Sequence, residues 1–329
     1  MIVTRAPFRA SFAGGGTDLP AHFQKHGGAT LSVGLGRHMF ITGRKMFDPS
    51  TTLLKYSRIE SVVSLEEIEH PIFREALRHF GLFGLDLGVS SDIPAGSGLG
   101  SSSTFTVALV KLLSEFLEEN FEAHEVAKVS SSLEVDILKE PIGYQDQYAS
   151  AFGGLNLFTY SAENGVRHES VNISTDQREE LAESLWLLKL PGGSRSASLA
   201  LTQSRAFVDS SVAATDALIE LGSLAVEAKS RIEREGVQVL GEVLRESWEL
   251  KKKSNPPGLV DEHEDLIRQG MRSGATAAKL LGAGGGGFLL FMVEPDNAGR
   301  FSKSLSNFKL VKPGLDFVGA TTIYREEKD

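Results

Sequence analysis

Between Pro94 and Ser103 the chain reads Pro-Ala-Gly-Ser-Gly-Leu-Gly-Ser-Ser-Ser, with Gly96, Gly98 and Gly100 alternating with Ser97 and Leu99. Glycine carries no β-carbon, so the N–H groups of such a loop can close on an anion that a side chain would hold off. Ser101, Ser102 and Ser103 follow directly, and an apolar-periodic stretch over Phe105–Leu117 predicts a helix. The first N–H groups of that helix and its dipole favour negative charge. The serine hydroxyls can cap the helix, bind phosphate or ligate Mg²⁺. The implied chemistry is the cradling of a phosphate, with a flexible serine-capped turn as the plainer alternative. No Gly-Lys-Ser/Thr follows the glycines, so this is not the common P-loop, and the spacing is not that of a dinucleotide fingerprint.

Two carboxylates suit phosphoryl transfer. Glu134 falls on a second predicted helix, Ala123–Leu138, which ends before Pro141. Asp146 lies just beyond the Pro141-Ile-Gly-Tyr-Gln turn. A kinase needs one carboxylate to hold Mg²⁺ and another to orient or accept the hydroxyl proton, on elements that keep them apart. Glu140 and Asp136 lie close by and read as surface residues. Arg9 stands among apolar neighbours on a predicted strand, where a guanidinium needs a partner; pairing with Asp146 would let it steady transition-state charge. Gly15 and Gly16, with Thr17 and Asp18, end that strand, and Asp18 is placed to accept bonds from sugar hydroxyls. Ser194 and Arg195, in Gly192-Gly-Ser-Arg-Ser, are candidates to capture a second phosphate, with a helix cap and an exposed Arg as the plainer and favoured alternative. A last glycine run, Gly282–Gly287, reads as a backbone wall or a tight turn. The eight histidines show no metal-ligand spacing.

The elements that must position these residues read as α+β. Residues 1–47 alternate apolar and polar positions around glycine turns, as strands and hairpins do. A helix is predicted over Pro71–Phe80, strands over Leu85–Ser91, Ser184–Leu190 and Phe288–Val293, and helices across Ser196–Leu250 and Asp261–Ser273. Residues 277–287 read as a glycine-rich loop. The change in character places a domain boundary at 175/176, giving domains of 1–175 and 176–329. A chain of 329 residues with 41% hydrophobic and 23% charged residues has ordinary globular composition. The absence of cysteine excludes disulfides and thiol chemistry and fits a reducing cytoplasm. A net charge of −9 argues against nucleic-acid partners. No apolar run is long enough for a membrane span, and the N-terminal residues lack the pattern of a secretory signal.

Taken together, the chain resembles the GHMP kinase superfamily (galactokinase, homoserine kinase, mevalonate kinase and phosphomevalonate kinase) over nearly its whole length. Three motifs match in order: Ala6-Pro-Phe-Arg-Ala-Ser-Phe-Ala-Gly14, Pro94-Ala-Gly-Ser-Gly-Leu-Gly-Ser-Ser102 and Lys279-Leu-Leu-Gly-Ala-Gly-Gly-Gly-Gly-Phe288. Within the superfamily it looks most like the D-glycero-D-manno-heptose 7-phosphate kinase branch. In galactokinases a Glu-His pair that contacts the sugar stands where this chain has Gly15 and Gly16. The resemblance implies an N-terminal domain like ribosomal protein S5 domain 2, a ferredoxin-like C-terminal domain, and a site between them.

It implies ATP and Mg²⁺ as cofactors, with Pro94, Gly96–Gly100 and Ser101–Ser103 around the nucleotide. Ser102 and Glu134 match the Mg²⁺ ligands, with Ser101 or Ser103 as substitutes for Ser102. Asp146 matches the catalytic aspartate and Arg9 the basic residue beside it, while Asp18 matches a sugar-hydroxyl ligand. The implied reaction is phosphorylation of the anomeric hydroxyl of a heptose 7-phosphate. A 1-kinase for a fucose- or galactose-type sugar and a catalytically silent sugar- or nucleotide-binding regulator are the alternatives. The sequence does not fix an oligomeric state.

Overall fold

The computed structural model describes residues 1–94, 98–190, 197–260, 263–282 and 287–326. The first half of the chain supplies β1 (Ile2–Ala13), α1 (Pro20–His26), β2 (Gly28–Lys45), β3 (Thr52–Lys55), β4 (Ile59–Val62), α2 (Pro71–Phe80) and β5 (Leu85–Ser91). Then follow α3 (Ser101–Phe116), α4 (Ala123–Ser131), α5 (Gln145–Phe152), β6 (Leu155–Ser161) and β7 (Gly165–Ser170). The second half supplies α6 (Thr175–Ser184), β8 (Leu185–Lys189), α7 (Ala197–Ser210), α8 (Val212–Glu235) and α9 (Leu240–Lys253). It ends with α10 (Glu264–Arg272), β9 (Ala275–Leu280), β10 (Phe288–Val293), α11 (Ala298–Ser304), β11 (Lys309–Val311) and β12 (Thr321–Arg325).

Two sheets result. The larger has eight strands, in the order β12-β1-β2-β5-β3-β4, with β6 and β7 branching from the first half of the long β2. The smaller is antiparallel, β11-β8-β10-β9. β1 is buried almost throughout because strands flank both its edges while α3, α5, α8 and α9 all reach it. α9 also packs on β9, so the helix joins the two sheets. Among the described residues, no helix is long and apolar enough to cross a membrane.

The α+β class and most predicted elements are found, with instructive differences. α3 begins at Ser101 rather than Phe105, since the serines fill its first turn. The helix predicted over Ala123–Leu138 holds α geometry only to Ser131 and then widens into a π-helical turn over Ser132–Ile137. α1 and α5 were not foreseen; both are short, and their sequences lack a long apolar period. Residues 277–280 are strand, not loop. The boundary at 175/176 falls between the strands of the two sheets, but β12 leaves the second half and pairs with β1 in the larger sheet.

Candidate active site

Arg9, on β1, is 5% exposed. Its Nε lies 2.7 Å from Asp146 Oδ1 and a terminal guanidinium nitrogen lies 2.6 Å from the same oxygen. The other terminal nitrogen donates to the carbonyl of Gly98 at 3.1 Å. One side chain thus fixes both the carboxylate and the end of the glycine loop. The expected Arg9–Asp146 pair is present.

The glycines at this point are required by space as well as by conformation. Gly100 caps α3 with φ of +77°, and a β-carbon there would sit 2.8 Å from Asp146 Oδ2. Gly98 (φ +74°) faces Gly282 (φ +75°) so closely that a β-carbon on Gly282 would lie 2.7 Å from the Gly98 Cα. The second and third glycine motifs therefore meet. The first turn of α3 holds no acidic residue, so the positive end of its dipole is not offset from within the helix and favours an anion.

Asp146 occupies the first turn of α5, and Asp18 holds the start of that helix. Asp18 accepts the Gln145 N–H at one oxygen (3.0 Å) and the Gly16 N–H at the other (2.9 Å). Burial, together with the charge of Asp146, raises the Asp18 carboxyl above its ordinary range, although these N–H bonds oppose the shift. Gly15 and Gly16 line the same cavity as Asp18. Thr17 does not. It is fully buried, and its hydroxyl bonds the carbonyls of Gly14 and Ala29 and the Ala29 N–H. Its expected place among substrate ligands is corrected to a latch that closes the Gly14–Asp18 turn.

Glu134 lies in the π-helical turn and is fully buried. Ser102 Oγ donates to it at 2.9 Å and Gln147 Nε2 at 2.7 Å; the same amide reaches Ser103 Oγ at 3.1 Å. Burial pushes the Glu134 carboxyl up to about 7, despite these bonds, with the charge of Asp146 adding to the shift. Gln147 Oε1 is buried with no hydrogen-bond partner. A dry carboxylate, a hydroxyl and an unused amide oxygen are hard donors, and they fit Mg²⁺, which completes its shell with phosphate oxygens and water. Among the described residues no cluster of three or more His, Asp or Glu is gathered for a metal. Ser102 bonds Glu134 directly at 2.9 Å, and the Ser103 hydroxyl is shared between Glu134 and the Gln147 amide.

Arg9, Asp18, Gly100, Ser102, Glu134 and Asp146 border one cavity of about 490 Å³. Pro94 is exposed and lies off its wall, and Leu99 is buried in the core, so neither side chain meets a ligand there. Glu140 is exposed at the cavity's rim. Gly96, Ser97, Ser194, Arg195 and residues 283–286 lie outside the described residues. Sequence reasoning missed several wall residues. The His22 and His26 rings lie 5.1 Å apart, tilted by 37°, and burial, with the charge of His26, lowers His22 to about 4. Lys251 and Lys279 also line the wall. Lys251 was hidden in a Lys-Lys-Lys run that reads as a solvated helix end, and Lys279 in a strand mistaken for loop.

Residues 68–154 match the family model for the GHMP kinase N-terminal domain, and residues 228–310 match that for the C-terminal domain. A D-glycero-alpha-D-manno-heptose 7-phosphate kinase from Campylobacter jejuni is 29% identical, over 95% of this chain and 98% of its own length. A bifunctional L-fucokinase/L-fucose-1-phosphate guanylyltransferase from Bacteroides fragilis is 26% identical over 92% of this chain, which spans 36% of that protein. The crystal structure of a D-glycero-D-manno-heptose 1-phosphate kinase from Bacteroides thetaiotaomicron superposes with a TM-score of 0.80 at 23% identity, covering 99% of this chain and 100% of that one.

Proposed function

Since this chain belongs to the GHMP kinases and has their two-domain fold, we propose that it transfers the γ-phosphate of ATP to the anomeric hydroxyl of D-glycero-D-manno-heptose 7-phosphate, giving the 1,7-bisphosphate. It is a sugar kinase of that family. The observation that carries the catalytic reading is the Arg9–Asp146 pair set against Gly100 at the N-terminus of α3. The likeness to the C. jejuni enzyme over almost the full length of both chains supports the acceptor.

In this reading the amides at the start of α3 bind the nucleotide's phosphates. Asp18, Gly15 and Gly16 position the sugar, with Ser194 and Arg195 as the sequence's candidates for its 7-phosphate. Asp146 orients the anomeric hydroxyl and takes its proton as the oxygen–phosphorus bond forms; the bond between the γ-phosphorus and the β,γ-bridging oxygen breaks, and ADP leaves. Arg9 holds Asp146 in place and aims it. Ser102 and Glu134 would hold Mg²⁺, which supplies charge neutralisation on the β- and γ-phosphates. Positioning and electrostatics carry most of such a reaction, so little other equipment is required.

The match to the fucokinase favours one second reading, a 1-kinase for an unphosphorylated sugar. Incubation with ATP and a panel of heptose 7-phosphate, fucose, galactose and mannose, read by ³¹P NMR, separates the two. A new anomeric phosphate on heptose 7-phosphate is expected; turnover confined to free sugars would overturn the heptose assignment.

A further inference from the structure

Two lysines on the cavity wall carry charge that no carboxylate among the described residues balances. Lys279, on β9, is 3% exposed and uses its ammonium inside the fold, on the carbonyls of Ser11 and Phe12 (3.4 and 3.2 Å) and on Ser247 Oγ (2.8 Å). Those three bonds exhaust its donors. Lys251, in the last turn of α9, makes two, to the carbonyls of Leu280 and Gly282 at 2.9 and 2.5 Å. Among the described residues its third N–H has no acceptor, and the side chain lines the cavity. Its neighbour Lys252 is paired with Glu249 and Glu264.

The position of this ammonium is informative. It is bonded to Gly282, and Gly282 sits directly against Gly98 at the end of the glycine loop. Burial and the nearby Arg9 guanidinium bring Lys251 down to about 7, and burial with the charges of Lys251 and Arg9 drives Lys279 well below its ordinary range. A poorly solvated ammonium with no carboxylate beside it among the described residues calls for an anion. Arg9 spends three of its five N–H donors on Asp146 and Gly98, so it is already committed to the carboxylate it holds. Lys25 and Arg205, also on the cavity wall, are exposed, where solvent screens them.

We propose that Lys251 donates its third N–H to a phosphate of the bound nucleotide beside Gly98 and Gly282, as the fixed cation that the glycine loop lacks in its own sequence. The inference rests on the kinase reading and goes beyond it. Lys279 is a positioning residue, tying β9 to β1 so that the two glycine loops stay in contact.

The test measures binding of Mg²⁺ with a non-hydrolysable ATP analogue, by calorimetry, to wild type, Lys251→Met and Lys251→Arg. Loss of one charge-assisted hydrogen bond predicts roughly 10- to 100-fold weaker binding for Lys251→Met, largely restored in Lys251→Arg. The KM for the sugar should stay within about twofold. A methionine variant that binds the analogue as tightly as wild type overturns the proposal. Should that variant fail to fold, acylation of wild-type lysines read by mass spectrometry decides. Lys251 should be protected by the analogue and by inorganic tripolyphosphate but not by adenosine; modification undiminished at saturating analogue overturns it. Wild type with no affinity for the analogue would overturn the kinase reading itself, and this proposal with it.

Discussion

Arg9 and Asp146 lie 137 residues apart in sequence, yet two guanidinium nitrogens converge on one carboxylate oxygen, Oδ1, at 2.7 and 2.6 Å. The other oxygen, Oδ2, faces Gly100. Asp146 is therefore held from one side by charge and confined on the other by the absence of a side chain.

Asp146→Asn keeps the shape and removes the base. Turnover should fall by about 10²–10⁴-fold, the usual worth of a positioned proton acceptor. Its melting temperature should stay near that of wild type. A variant with near-normal kcat would contradict the role given to Asp146.

Gly100→Ala tests the confinement. The new β-carbon would stand 2.8 Å from Oδ2, in a left-handed conformation that costs a non-glycine residue about 1–2 kcal/mol. The expected outcome is a modest loss of thermal stability with a disproportionate loss of kcat, as Asp146 is pushed from line. Equal kcat for variant and wild type would mean that the neighbouring carboxylate tolerates displacement.

Gly143→Ala should act on the sugar side. A β-carbon at Gly143 would lie 2.0 Å from Asp18 Oδ2, so Asp18 must leave the Gln145 N–H that it caps. KM for the sugar should rise several-fold more than KM for ATP, in steady-state kinetics with each substrate varied. The reverse order would place Asp18 with the nucleotide.

Ser102→Ala and Glu134→Gln should each raise the Mg²⁺ concentration needed for half-maximal rate by about tenfold or more, because each removes one hard oxygen donor or its charge. Magnesium titrations at saturating ATP check this. Ser103→Ala, whose hydroxyl is shared between Gln147 and Glu134, should shift that midpoint less than Ser102→Ala.

Asp316 gives the pH dependence of stability. Burial alone would raise its carboxyl, but bonds from His38 and from the N–H groups of Gly319 and Val318 hold it below its ordinary value. A depressed folded pKa contributes stability that is fully present above the unfolded value of about 3.9 and is lost as pH falls through the folded value. Asp316→Asn should therefore melt several degrees below wild type at pH 7, and the gap should close in thermal melts taken below about pH 4. A gap that persists undiminished there would show that charge is not what Asp316 supplies.

The Pro94–Ser103 loop and Arg9 were legible because each breaks an expectation that a purely structural residue obeys, whereas Glu134 and Asp146, which by spacing alone read as surface carboxylates, were singled out by the family resemblance. Guanidinium inside a strand and glycines stacked at a helix start have few bland explanations. What stayed hidden depends on partners distant in sequence. Thr17 sits in a glycine turn beside Asp18, but its burial against Ala29 is visible only in three dimensions. Gln147 reads as an ordinary helix residue until Glu134 is seen beside it. The π-helical turn around Glu134 leaves no mark on apolar spacing, and β12 is too short and polar to announce that it returns to the first sheet.

That return has a bearing on biosynthesis. The Ile2–Arg5 edge of β1 has no partner until residues 321–325 have left the ribosome, so the emerging polypeptide presents a short run of unsatisfied backbone groups there for most of its translation. Completion of the sheet that carries Arg9 thus waits on the last strand to be made, and nascent chains stalled before it carry an open, adhesive margin.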